Sequence, residues 1–188
     1  MHDVISGYDS VSAAINKTIA GLKAHPKILK EEKHKYMYPA FERAMYVAIS
    51  AADLNVALKY LDVSNALKNH AEANFFARVV AHISYELINH KNKVVGSEVA
   101  NLATSMLGEG GLLDIKEASA DLKAVVREHH PTLNKIRNNL FGHRLENGSE
   151  MAAMMLELDN GEIYRIGKRV FTAYLKIIGA YSKLLTEL

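Results

Sequence analysis

The chain holds no cysteine in 188 residues. Disulfides, thiolate metal sites and a cysteine nucleophile are therefore excluded, and any chemistry must use other side chains. Long apolar runs are lacking too. The longest stretch free of Asp, Glu, Lys and Arg is the ten residues Val99 to Gly108, about half of the roughly 20 needed to span a bilayer. The opening segment, Met1 to Gly7, carries Asp3 and no apolar core, so a secretory signal is not expected. A soluble, cytoplasmic protein with no membrane attachment is predicted. Charge of one sign is not in excess, since the formal net charge is only +2. With 49% hydrophobic and 23% charged residues, the composition is that of a folded chain. A single domain over residues 1–188 would bury roughly 70% of the unfolded surface.

Proline is also scarce, at Pro26, Pro39 and Pro131, and helix-favouring residues dominate between short Gly, Asn and Ser breaks. The fold class expected is all-α: a bundle of four main helices with shorter connecting ones. A first helix is expected from Ser10, as N-cap, to Lys23, with Val11, Ala14, Ile15, Thr18, Ile19 and Leu22 on one face. A solvated lead-in over Lys27–Lys35 precedes a second helix from Pro39 to Leu61, with Phe41, Met45, Ala48, Ile49, Ala52, Val56 and Leu58 inward. Ser64 is expected to cap a long helix to His90, in which Leu67, Ala71, Phe75, Val79, His82, Ile83 and Leu87 repeat. A shorter helix from Ser97 should end at the Gly108–Gly111 turn, and Asp114 should cap another reaching Glu128. Pro131 fits the first turn of the next helix, which Gly148 would close. The last helix, Asn160 to Leu188, repeats Ile163, Ile166, Val170, Tyr174, Ile177, Tyr181 and Leu184. Residues 156–166 also alternate around Asn160-Gly161, a hairpin signal, but the 3.6-residue pattern from Ile163 outweighs it.

The charges are unevenly placed. From Lys123 to Arg144 stand five basic residues, Lys123, Arg127, Lys135, Arg137 and Arg144, against Glu128 alone, with His129, His130 and His143 among them. An anionic partner such as RNA or a nucleotide fits such a patch; a solvated helix face of mixed charge is the commoner explanation of the charge alone. Within it runs Lys135-Ile136-Arg137-Asn138-Asn139-Leu140-Phe141-Gly142-His143-Arg144. At 100° per residue, Leu133, Ile136 and Leu140 form a narrow apolar stripe, with Arg137 and His143 about 60° to either side and about 9 Å apart along the axis. Asn138 projects away from that stripe.

Arg137 followed by Asn138, and after five intervening residues by His143, resembles the signature of the HEPN superfamily (higher eukaryote and prokaryote nucleotide-binding), in particular its abortive-infection branch. The close resemblance covers Lys135–Arg144, and the rest of the chain agrees in architecture. It implies a metal-independent endoribonuclease with no cofactor, an active cleft formed across a homodimer, and a toxin or phage-defence role with an antitoxin protein as partner. Attack by an RNA 2′-hydroxyl needs a group that moves a proton near neutral pH, and His143 suits it. Charge growing on the phosphoryl oxygens suits the forked guanidinium of Arg137. Asn138 would orient the phosphate or the His; Arg144, Arg127 and Lys135 would add phosphate affinity. Phe141, like Phe75 and Phe76, fits a helical core position, with stacking on a base beside Arg137 as its alternative use.

Other chemistries find less support. A carboxylate-bridged dimetal bundle needs two Glu-x-x-His pairs, and Glu31 with His34 is the single one. His82 and Glu86, one turn apart, fit a buried hydrogen-bonded pair better than a metal site, since no third ligand is evident. His129 and His130 fall at a helix junction, where capping is their ordinary use. Gly108-Glu109-Gly110-Gly111 lacks the Lys and Ser/Thr of a phosphate-binding P-loop. A non-catalytic helical dimer that binds nucleotide, RNA or a protein partner through the same cleft is the alternative.

Overall fold

The computed structural model describes residues 2–24, 38–142 and 148–186. Among them the chain is all-helical, with no strand. Six α-helices, α1 (His2–Ala24), α2 (Tyr38–Ala66), α3 (His70–Val95), α4 (Ser97–Ile136), α5 (Gly148–Leu156) and α6 (Asn160–Thr186), are joined by one π-helical turn, Arg137–Gly142, after α4. The hairpin alternative over 156–166 does not form. Asp159 instead caps α6, its Oδ1 accepting from the Glu162 N–H at 2.9 Å. No helix among the described residues is long and apolar enough to cross a membrane. The expected lead-in over Lys27–Lys35, Glu31 and His34, and the chain end at Leu188 lie outside the described residues.

Cross-helix contacts set the directions. Tyr60 stacks on Phe76 and Tyr46 meets His90 edge-on, so α2 and α3 run antiparallel. The Tyr174 hydroxyl donates to the Leu87 carbonyl at 3.1 Å, and the Tyr181 hydroxyl donates to that of Val94 at 2.9 Å, so α3 and α6 run parallel. Both tyrosines are fully buried, and each buried phenol needs an acceptor. α4 runs opposite to α6 along a zipper of ion pairs: Arg169 with Glu128, Lys176 with Glu117 and Asp121, and Lys183 with Asp114. α1 lies against α2, where Asn55 donates to the Tyr8 carbonyl and Lys59 pairs with Asp9.

The faces turned inward differ from those expected. α6 buries Ile163, Ile166, Val170, Tyr174, Ile177 and Tyr181 as its spacing predicts. α3, however, buries Ala73, Ala77, Val80, Ala81, Ser84, Leu87 and Ile88, and leaves Leu67 beyond its start and Phe75 exposed. α2 likewise turns Ala44, Val47, Ala48, Ala51, Leu54 and Leu58 inward while Ile49 and Val56 stand exposed. Small residues let helix backbones approach, and Gly167 of α6 marks a close approach, against which Val80 and Leu58 pack. Large side chains at those positions would not fit.

Several boundaries also shift. α1 starts at His2, so Ser10 caps nothing and its hydroxyl bonds back to the Ser6 carbonyl. α2 continues through Ser64, and α3 is capped by Asn69, whose Oδ1 accepts from the Glu72 N–H at 3.3 Å after a positive φ at Lys68. The expected break at Gly108 is present: its backbone leaves the helical region, so Ser97–Ile136 is two helical stretches that meet at a kink there. Gly108 adopts φ 65°, which glycine tolerates without a Cβ clash, and the helix resumes at once, so Asp114 lies inside it and pairs with Lys183. Pro131 lies inside α4 as well and does not open a new helix. It removes the amide that would bond the Arg127 carbonyl, on an exposed face where water can replace it. Gly148 begins α5, so it does not close the preceding helix.

Candidate functional site

Leu133 and Ile136 bury the last turn of α4 in the core, which fixes where the following residue emerges. Arg137 leaves the seam between α4 and α3, two-thirds buried, with its side chain turned to α3. Its guanidinium lies over the Tyr85 ring, 5.8 Å from the centroid, and its Nε stands 3.6 Å from Glu86 Oε1. That separation is an ion pair and too long for a hydrogen bond. Nε is buried and has no hydrogen-bond acceptor. On the other side Nη1 donates to Asn138 Oδ1 at 3.0 Å, and Asn138 Nδ2 donates to Asn134 Oδ1 at 3.1 Å. The ring of Tyr85 in turn leans on His130, with centroids 5.4 Å apart. Arg137 is thus held between an aromatic ring, a carboxylate and an amide relay.

The π-helical turn begins at Arg137 itself. π-turns are rare and are frequently found at functional sites. Its wider winding rotates each residue by less than the 100° of an α-helix, which displaces the projection used for the sequence. Asn138 is half-buried and bonded to both Arg137 and Asn134. Asn139 turns toward α5, with Nδ2 3.9 Å from Met154 Sδ. His143 and Arg144 lie outside the described residues, as do the side chains of Leu140 and Phe141.

Among the described residues, Lys135 and Arg127 are engaged elsewhere than at Arg137. Lys135 lines a groove of about 250 Å³ with Glu157, Asp159 and Glu162, on the side of α4 that faces α5 and α6. Arg127 is exposed and pairs with Glu128 at 3.3 Å, whose second oxygen takes Arg169 at 2.7 Å. The Arg169 bond holds the Glu128 carboxyl below the usual carboxylate range, against a smaller opposing effect of desolvation. His129 lies near Glu128, Glu162 and Arg169, in the α4–α6 zipper rather than at a helix junction. Among the described residues no three His, Asp or Glu side chains come together as a metal site would require.

Two contributors were not visible in the sequence. Tyr85 carried no signal at all. Glu86 stood out beside His82 on its own helix, but its carboxylate reaches across to Arg137, a pairing that helix spacing alone does not encode. Comparison with known proteins adds no relative: no family model, no curated protein and no solved structure matches the chain.

Proposed function

We propose that this chain is a HEPN-type endoribonuclease that cleaves RNA without a metal ion, acting as a cytoplasmic homodimer of HEPN-like four-helix bundles. The observation that carries it is the state of Arg137: an oriented, mostly buried guanidinium at the start of a π-turn, with one N–H lacking an acceptor. A buried charged donor left without a hydrogen bond costs stability unless something binds there, and a phosphate supplies the acceptor oxygens that fit a guanidinium fork.

In the step proposed, the ribose 2′-oxygen attacks the adjacent phosphorus and the bond from phosphorus to the 5′-oxygen breaks. A 2′,3′-cyclic phosphate and a 5′-hydroxyl result. One proton leaves the 2′-hydroxyl and one reaches the 5′-oxygen, so the proton count is unchanged. His143 moves the proton and Arg137 stabilises the charge on the phosphoryl oxygens. Asn138 fixes the guanidinium in place through the bond already described. A second copy of the motif across the dimer completes the cleft, and an antitoxin protein that covers it would silence the activity.

One observation favours a non-catalytic role instead: Glu86 already offers Arg137 a carboxylate. In that case the same cleft would bind nucleotide or RNA without cutting it. Incubating structured RNA with the wild type and with His143→Ala in EDTA separates the two. Cleavage by the wild type alone supports the enzyme; inert or equal behaviour of both proteins removes His143 from catalysis.

A further inference from the structure

The outer face of α3 carries a second cluster one turn beyond Glu86. His90 follows Glu86 by four residues, which makes them neighbours on the helix surface, about 6 Å apart along the axis. Tyr46 of α2 stands against His90: its Oη lies 3.0 Å from His90 Nδ1 and the two rings meet edge to face at 6.1 Å. Burial pushes the Tyr46 phenol above its ordinary pKa, and the nearby Glu86 carboxylate adds to the rise. Arg137, Glu86, Tyr46 and His90 therefore form one continuous strip.

The strip opens into a pocket of about 390 Å³ lined by Glu42, Arg43, Tyr46, His90, Lys93 and Val94. Its acid, Glu42, is engaged by the Tyr38 hydroxyl. Arg43 and Lys93 supply two cations, and Lys93 lies about 10 Å along α3 from the level of Glu86. The Tyr46 ring is partly open to solvent at 39% exposure, and the His90 contact fixes its orientation. A fixed aromatic face beside a pair of cations is what single-stranded nucleic acid uses: bases stack and phosphates pair.

We propose that this pocket is a subsite for a flanking nucleotide of single-stranded RNA, in which Arg43 and Lys93 hold a phosphate next to the one at Arg137 and Tyr46 stacks a base. The proposal rests on RNA binding at Arg137, and it defines which part of the strand the protein grips beyond the scissile bond.

Anisotropy titrations with 2′-O-methyl oligoribonucleotides, which cannot be cleaved by their own 2′-oxygen, test it at several salt concentrations. The wild type should bind an octanucleotide more tightly than a dinucleotide. Replacing both cations (Arg43→Ala with Lys93→Ala) should weaken octanucleotide binding about tenfold or more and lower the salt slope by about 0.7, for the one phosphate they share. Lys93→Glu, a change at an exposed position that spares the core, should do so too. Tyr46→Leu should cost about tenfold and Tyr46→Phe little, since the ring survives. Arg137→Ala should weaken both lengths. If the wild type binds RNA and Arg137→Ala weakens it, but the pocket variants keep wild-type affinity and slope, the subsite is refuted and the Arg137 site stands. If the wild type binds neither length, both fall together.

Discussion

Gly167→Ala probes the packing that sets the α3 face in place. An ideal Cβ at Gly167 would lie 2.5 Å from Val80 Cγ1 and 2.9 Å from Leu58 Cδ2, against the 3.4 Å at which ordinary contact begins. Both neighbours are fully buried and Val80 is stiff at χ1, so relief requires α6 to move away from α2 and α3. Overpacking of this kind costs about 1–3 kcal/mol, while Ala in place of Gly in a helix returns about 0.8–1 kcal/mol. The net expectation is a loss of about 0.5–2 kcal/mol, or a fall in Tm of roughly 2–6 °C for a chain of this length. Gly179, twelve residues further along the same helix, has nothing within 4 Å of its would-be Cβ, so Gly179→Ala should stabilise by up to about 1 kcal/mol. Urea denaturation with unchanged m-value reads both. A Gly167→Ala protein as stable as the wild type, or the two variants shifting alike, would refute the close approach. In a Val80→Ala background the Gly167→Ala penalty should shrink, since residues in contact couple by about 0.5–3 kcal/mol.

Arg137→Lys keeps the charge but loses the planar fork and the ring stacking, so cleavage should fall about 100-fold or more; near-wild-type rates in a cleavage assay would count against the role given to Arg137. Asp159→Ala removes the α6 cap and should cost about 1 kcal/mol in urea titrations. Burial raises the Tyr174 and Tyr181 phenols well above their ordinary pKa. For a group raised on folding, the contribution is complete below the unfolded pKa of about 10 and is lost as pH climbs toward the folded value. Stability should therefore decline above about pH 10, and Tyr174→Phe should flatten that decline by about 1.4 kcal/mol per pH unit. An unchanged slope would mean Tyr174 ionises freely in the folded protein.

The sequence was legible where a helix packs through large side chains and opaque where it packs through small ones. The α6 stripe from Ile163 to Tyr181 was correctly placed because each inward residue is strongly apolar. On α2 and α3, alanine and serine make up half of the buried residues, and Phe75 and Val56 stand exposed, so large apolar residues alone mark much of the outer face. Helix punctuation was half legible. Gly108 does break the helical run, while Pro131, an ordinary stop signal, lies inside the second stretch on an exposed face where the lost amide bond costs least.

Charge nearness in sequence also misled. Lys135 and Arg137 are two residues apart in a basic run, but two residues on a helix turn by 200°, which leaves them about 160° apart around the axis. Lys135 therefore opens toward the acids of α5 and α6, while Arg137 meets Glu86 and Tyr85 of α3. The cationic groups that continue from Arg137 come instead from Arg43 and Lys93, 94 and 44 positions away in sequence. On the reading proposed above, the phosphate-binding surface would be assembled by the antiparallel pairing of α2 and α3 beside the π-turn. That is why a run of basic residues located the segment that matters without locating the surface around it.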